Sequence, residues 1–485
     1  MSSKIVKIAI SGIFWTTGQR LLNLGVQLIS GIVLSRLLTP EDYGCIGMLA
    51  IFMVISEAFL DGGFGSALIQ KENPTQDDYS TVFFWNMGMS IVLYSILFFI
   101  APFISDFYNM PLLCPVLRVQ GLVLIISAFS IVQKNQFNKR FQFKKIAIIS
   151  LISSVIALGT SIYMAIIGWG VWSLVLQSLL LAGIPSLLYC VIGKWVPSFR
   201  FSKESFMGLF SFGFFIFLTN LINNICNNIE GLLIGRFYNA TTMGYFSKSK
   251  STANLATMAL SQSLQQVTYP LYSKYQNDHS ALVDIIKKAT SFTSFVVFPM
   301  MALLVLLATP IFTLLYSDKW LASVPYFQIL CFSCMASCLQ GINTLSIAAI
   351  GKSKAMVTYT IYKRLLGFSM IIIGMLLWGI YGLLVGMVLQ SWFAYVINVN
   401  LVSKYIGYSL KKQIFDLAPT VILTFVGLAF SLLLSKCWDS SSFYNYLIKV
   451  VVFLSVYLIG SFLLNLRAVS YTKVLLKKIM IKYNK

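Results

Sequence analysis

Arg20, Asn23, Gln27 and Ser30 recur three or four residues apart in an otherwise apolar stretch, a spacing that puts them on one face of an α-helix. A guanidinium flanked by carboxamides and a hydroxyl can hold a phosphate or a hydroxyl-rich anion. Two hundred residues later Asn220, Asn223, Asn227 and Glu230 stand in the corresponding places. Polar side chains facing lipid are costly, so both stripes are expected to face protein or a water-filled cavity. For any one of these residues the plain alternative is a hydrogen bond between helices and nothing more.

Charges within apolar runs are functional candidates by default, and here they are Arg20, Glu57, Asp61, Glu230, Lys248 and Lys250. Antiparallel helices joined by a short turn place residues equally far from it at equal depth. About a turn at Thr39 and Pro40, Arg20 falls level with Asp61 and about one helical turn from Glu57. About a turn at Asn239 and Ala240, Glu230 falls level with Lys248, with Lys250 nearby. Two candidate ion pairs follow, Arg20 with Asp61 and Glu230 with Lys248. Either each pair neutralises its own buried charges, or the cations meet an anionic ligand when the acids release them. In the second case Glu57, Asp61 and Glu230 are the places for a coupling proton or cation.

Other constellations carry less. Cys331, Cys334 and Cys338 resemble a thiol cluster, but that helix has no histidine or carboxylate partner, so no metal is expected. The single histidine, His279, sits beside Asp278 and reads as a solvated polar residue. No phosphate-binding glycine loop of the Walker type occurs, so ATP hydrolysis is not expected. Nor is any cofactor, and the eight cysteines show no paired framework that calls for disulfides.

The elements that position these residues are membrane helices. Of the 485 residues 58% are hydrophobic and 11% charged, against about 25% charged in soluble domains. Apolar runs of about 20 residues, each long enough to cross ~30 Å of hydrocarbon, recur throughout. About fourteen helices are predicted, at roughly 11–37, 43–68, 81–104, 112–132, 146–167, 171–192, 207–237, 242–270, 290–315, 321–349, 356–378, 381–402, 414–435 and 446–465. The first run follows Lys4 and Lys7 and precedes no small-residue cleavage site, so it reads as a retained helix. The net charge of +21 marks topology rather than nucleic-acid binding. With the N-terminus cytoplasmic, most lysines and arginines fall in inside segments, among them Lys134, Lys139, Arg140, Lys352, Lys354, Lys363 and Arg364, whereas Lys319 and Lys436 fall outside. Both termini are therefore expected in the cytoplasm.

A duplication organises the chain. Gly31, Arg36 and Gly44 each meet an identical residue 200 positions on, at Gly231, Arg236 and Gly244, and Gly168 to Trp172 is echoed by Gly379 to Gly382. The expected fold class is all-α, with two six-helix lobes at 1–204 and 205–405 and two further helices over 406–465. A basic cytoplasmic tail follows over 466–485. Six helices per copy give both copies one orientation and a pseudo-twofold axis along the membrane normal.

These residues resemble the polysaccharide flippases of the multidrug/oligosaccharidyl-lipid/polysaccharide exporter superfamily, of the O-antigen, capsule and colanic-acid type. Gly31 to Gly44, spelled GIVLSRLLTPEDYG, Asp61 to Gln70, spelled DGGFGSALIQ, and the Gly168 to Trp172 turn carry the resemblance. It implies two lobes in a bacterial inner membrane that alternate between inward-facing and outward-facing states. The cargo it implies is an undecaprenyl-diphosphate-linked oligosaccharide, moved from cytoplasm to periplasm, with a cationic cavity for the diphosphate-sugar region. Arg20, Lys248 and Lys250 suit that cavity, with Asn23, Gln27, Asn220, Asn223 and Asn227 as polar lining. Membrane lipids, a coupling proton or sodium ion, a polysaccharide polymerase and glycosyltransferases are the further partners; nucleic acid is not one. A cation-coupled drug exporter of the same superfamily would share the fold but favour an acidic, aromatic cavity. A membrane-bound glycan polymerase, ligase or acyltransferase needs positioned acids, bases or nucleophiles, and the short outside loops and lack of an intramembrane histidine count against it.

Overall fold

The computed structural model describes residues 2–435, 443–464 and 466. Helix α1 (Ser2–Leu37) leads through a tight turn into α2 (Pro40–Asp61). The sequence Thr39-Pro-Glu-Asp42 makes that turn: Thr39 Oγ1 accepts from the Asp42 backbone N–H, and the Asp42 carboxylate accepts from the Thr39 N–H at 2.8 Å. This reciprocal capping, with Pro40 at the first helical position, fixes where α2 begins. It ends at Gly62 and Gly63, with φ of 52° and 77°, a left-handed pair that side-chain-bearing residues disfavour. The predicted helix 43–68 is thus broken, and α3 (Phe64–Gln70) continues from it. Thr75 and Asp78 repeat the capping box at the start of α4 (Gln76–Phe107).

Then follow α5 (Leu113–Gln120), α6 (Leu122–Lys139), α7 (Phe143–Ile166), α8 (Val171–Gly193), α9 (Lys203–Phe237), α10 (Ala240–Lys274), α11 (His279–Leu306), α12 (Ala308–Tyr316), a 3-10 turn (Asp318–Ser323), α13 (Val324–Ala349), α14 (Ser353–Ile406), α15 (Leu410–Ser435) and α16 (Phe443–Leu463). Twelve segments among the described residues are long and apolar enough to cross a membrane. One of them, Thr358–Ile406, is two helices, because Trp378 and Gly379 leave the helical region. Dividing it and adding α10, 35 residues long, is compatible with fourteen crossings. The protein is an all-α, polytopic membrane protein. Lys363 and Arg364, counted among the inside segments, lie in the first part of α14, in a helix long and apolar enough to cross a membrane. The basic tail beyond residue 466 lies outside the described residues.

The chain forms two compact units, Met1–Ser247 with Leu315–Lys319, and Lys248–Leu314 with Trp320–Lys485. Within the first, Gly44 packs so closely on α10 that a methyl group there would overlap the Ala240 carbonyl, and a methyl at Gly244 would overlap the Pro40 carbonyl. The offset of 200 that maps Gly44 onto Gly244 also maps Pro40 onto Ala240. Each copy of the motif therefore touches the other as the other touches it, the reciprocity of a local twofold axis. Thr39 and Asn239 share a role as well: the Asn239 side chain accepts the Thr242 N–H at 2.8 Å.

The turn echo has a sharper register than the letters suggest. Gly170 (φ 52°, ψ −128°) and Gly379 (φ 60°, ψ −138°) share one unusual conformation, and each follows a tryptophan, Trp169 and Trp378. Gly170 is thus the conformational match of Gly379, at an offset of 209. A third echo joins Tyr108-Asn109 to Tyr316-Ser317, where both tyrosines are buried and Asn109 and Ser317 both have positive φ, 52° and 83°.

The second unit holds its last helices through buried polar bonds. Gln413 of α15 pairs with Asn343 of α13, and Tyr395 of α14 donates to Gln413 at 2.9 Å. Asp416 accepts from Tyr408 at 2.7 Å and faces Lys287 of α11 at 3.4 Å. The Tyr457 hydroxyl of α16 donates to the Phe295 carbonyl at 2.9 Å. Such bonds fix register because an unmade one leaves a buried polar group unsatisfied.

Candidate substrate-binding site

The first polar stripe divides in two. Asn23 donates to Ser150 Oγ of α7 at 3.0 Å, and Ser30 accepts from Gln177 of α8 at 2.8 Å, so these two tie α1 to its neighbours. Arg20 and Gln27 are exposed. The second stripe repeats the division: Asn220 and Asn227 are exposed, Asn223 is half-buried and Glu230 is buried. Along both stripes packed and open positions alternate, each recurring every seven residues.

At the other end of α1 lies its contact with α2. Leu34 and Leu38 form a buried cluster with Ala165 and Leu174, against which Tyr43 and Ile46 of α2 pack. Two heptads below Leu34 on the same face is Arg20, and two heptads beyond Tyr43 on its face is Glu57. Both are about 21 Å from the contact at 1.5 Å per residue, and both are exposed. Among the described residues neither makes a hydrogen bond or an ion pair. Helices α1 and α2 therefore meet at their turn, and Arg20 and Gln27 of α1 and Glu57 of α2 are exposed further along each helix.

Asp61 lies differently from its sequence-derived pairing. Its carboxylate lies under the influence of the backbone N–H groups of Gly63 and Gly65, and the cation acting on it is Lys134, where Arg20 was expected. At the far end of α3, Lys139 Nζ donates to the carbonyls of Leu68 (3.3 Å), Ile69 (3.1 Å) and Lys71. Helix α6 thus holds the C-terminal end of α3. Sequence reading counted Lys134 and Lys139 as topology markers only; the DGG break followed by a seven-residue helix was the signal that something had to clamp it.

Lys248 is buried at 5% exposure, and its ammonium stands 5.7 Å from the centre of the fully buried Trp320 ring. Such a stack stabilises a desolvated cation. Lys250 is half-buried. Trp320 was missed, because it lies in a 3-10 turn that periodicity does not reveal. The three cysteines of α13 are buried free thiols, and among the described residues no group of three or more His, Cys, Asp or Glu is placed to hold a metal. Asp278 caps α11, accepting from the Ser280 and Ala281 N–H groups at 3.0 Å, with His279 beside it.

The profile of the family described as "Polysaccharide biosynthesis protein" matches residues 33–325, well over half of the chain. The chain belongs to this family. Among curated relatives, this family member is 26% identical to the teichuronic acid biosynthesis protein TuaB of Bacillus subtilis (strain 168) over 72% of its own length and 73% of that protein's. It is 22% identical to the lipopolysaccharide biosynthesis protein WzxC of Escherichia coli (strain K12), over 86% and 87% of the two chains. In fold it is similar to the lipid II flippase MurJ in an inward closed conformation, with a TM-score of 0.72, 16% identity, and coverage of 96% of this chain and 100% of that one. An inward-facing MATE family multidrug transporter is similar at a TM-score of 0.61, with 16% identity and coverage of 80% and 94%.

Proposed function

We propose that the protein flips an undecaprenyl-diphosphate-linked oligosaccharide from the cytoplasmic to the periplasmic leaflet by alternating access, for surface polysaccharide or lipopolysaccharide biosynthesis. The observation that carries this reading is family membership joined to an exposed, membrane-depth guanidinium and carboxamides on α1 and α9. A diphosphate presents acceptor oxygens only, which suits Arg20, and a glycan presents hydroxyls, which suit Gln27, Asn220 and Asn227. Asn23, Asn223, Lys248 and Lys250 are the further residues assigned to substrate in this reading. Translocation needs a change of access and no covalent step, so no nucleophile or general base is required.

The protein is read as an inner-membrane one with both termini cytoplasmic, built from six-helix lobes at 1–204 and 205–405 and two additional helices. Glu57, Asp61 and Glu230 remain the places at which a proton or sodium ion would couple, and a polymerase and glycosyltransferases are the partners this chemistry calls for. The fold shared with multidrug transporters leaves a drug exporter as the second reading; the polysaccharide family match favours the first. Purified protein in liposomes should expose a lipid-linked oligosaccharide, loaded on one leaflet, to an impermeant reagent on the other. Absence of such exposure together with efflux of organic cations would replace the flippase reading by the drug-export one.

A further inference from the structure

We propose that residues 194–202, the strap joining α8 to α9 in the first compact unit, dock on anionic phospholipid. Val196, Phe199 and Phe201 enter the edge of the bilayer, and Lys194, Arg200 and Lys203 meet the headgroup phosphates. The strap lies at the membrane boundary by connectivity, since it runs from the end of one apolar helix, Val171–Gly193, to the start of the next, Lys203–Phe237. It is held in one place. Gln76 at the start of α4 bonds it twice, accepting from Trp195 Nε1 at 2.7 Å and donating to the Val196 carbonyl at 2.8 Å. Further along α4, Ser80 accepts the Ser198 N–H and Thr81 accepts the Ser202 N–H, both at 3.0 Å, and Ser80 and Thr81 are fully buried. The Trp195 ring packs on Tyr79 and Phe83.

The side chains that this anchoring does not use are left outside. Val196, Phe199 and Phe201 are 73%, 95% and 55% exposed, and apolar and aromatic side chains at the ends of membrane helices suit the bilayer interface. Lys194, Arg200 and Lys203 are exposed, and among the described residues their side chains make no hydrogen bond or ion pair. The acids alongside are Asp77 and Glu204, because Asp78 is paired with Lys71 at 2.7 Å. Arg140 adds a fourth cation, acting on the Tyr79 hydroxyl, whose ring packs on Trp195. Apolar side chains interleaved with unpaired cations are what binds an anionic lipid surface. The second copy shows that the connection itself does not require them. The helix after Gly379 matches the one after Gly170, yet only Gly407, Tyr408 and Ser409 join it to α15, and the aromatic among them, Tyr408, is buried and donates to Asp416.

Full-length protein in nanodiscs of phosphatidylcholine, with and without phosphatidylglycerol, tests this. Native mass spectrometry of protein released from the mixed nanodiscs counts the lipids retained, and the wild type should retain phosphatidylglycerol in preference. Lys194→Gln, Arg200→Gln and Lys203→Gln together should cut that preference about tenfold or more, at roughly fivefold per cation. Lys404→Gln, Lys411→Gln and Lys412→Gln together remove as much charge beside the shorter loop and should leave the preference unchanged. Amide exchange over 194–202 in the wild type should slow when phosphatidylglycerol is added, and Val196→Ser with Phe199→Ser should abolish that slowing. A wild type without preference, an equal loss in both triple variants, or exchange over 194–202 indifferent to phosphatidylglycerol overturns the proposal. None of these outcomes bears on the flippase reading, since the lipid bound here stays in its leaflet.

Discussion

Arg236 does for one helix what Arg36, 200 residues earlier, does for another. Arg36 Nε donates to the Leu315 carbonyl at 3.0 Å, at the end of α12, and Arg236 Nη1 donates to the Phe107 carbonyl at 2.6 Å, at the end of α4. Each arginine ends the first helix of its repeat and caps the third helix of the other. Guanidinium groups suit such sites because helix C-termini carry unsatisfied carbonyls and partial negative charge. The two are not identical in surroundings: Lys319 donates to the Arg36 carbonyl at 2.8 Å, whereas Arg236 lies over the Phe107 ring at 4.9 Å.

Arg36→Ala and Arg236→Ala should each lower stability by about 1 kcal/mol, since both side chains are exposed and screening limits the effect. The double variant should lose nearly the sum, because the two caps share no partner. Thermal unfolding in detergent measures this; a double variant as stable as the wild type would remove the capping role.

Gly44→Ala and Gly244→Ala should be far more damaging than Gly159→Ala. At the first two a methyl meets a backbone carbonyl, which cannot rotate away, whereas at Gly159 nothing lies within 4 Å. Helix propensity alone predicts a gain of up to ~1 kcal/mol for all three. The yield of monodisperse protein should fall for the first two and hold or rise for the third.

Lys139→Met keeps the aliphatic stem and removes the donor to three carbonyls of α3. Amide exchange over 64–70 should quicken by about tenfold while α4 and α7 stay protected, as expected when one local cap is lost. Uniformly faster exchange would mean that Lys139 supports the whole unit instead.

The divided stripe makes opposite predictions for neighbours one turn apart. Asn23→Ala should cost about 1 kcal/mol of stability by removing the bond to Ser150 yet leave glycan export largely intact. Arg20→Ala should abolish most export at nearly unchanged stability. Export assays beside melting curves would decide, and export lost equally in both would refute the division.

Asp278 supplies a pH dependence outside the membrane. The Ala281 N–H, then the Ser280 hydroxyl, hold its carboxyl below the usual carboxylate range. A group whose pKa is depressed by folding contributes stability above its unfolded pKa and loses it as pH falls through the folded value. Protection of residues 280–282 should therefore hold in mild acid and weaken only as pH falls below the usual carboxylate range, and Asp278→Ala should remove that dependence.

Much was determined by sequence alone. Apolar runs too long for a soluble core fixed membrane helices, because burial in hydrocarbon is a one-dimensional property of composition. Gly31, Arg36 and Gly44 exposed the duplication, and helical periodicity found the faces holding Arg20 and Asn220. Tertiary structure decided what periodicity cannot carry. The Gly62-Gly63 break, the Gly170–Gly379 register and the buried Trp320 depend on backbone angles and on neighbours distant in sequence. Equal depth, likewise, put Arg20 level with Asp61, but depth says nothing of direction. Only the fold of α6 beside α3 brought Lys134 into the surroundings of Asp61, and only the packing of the helices left Arg20 and Glu57 exposed and without a bond among the described residues.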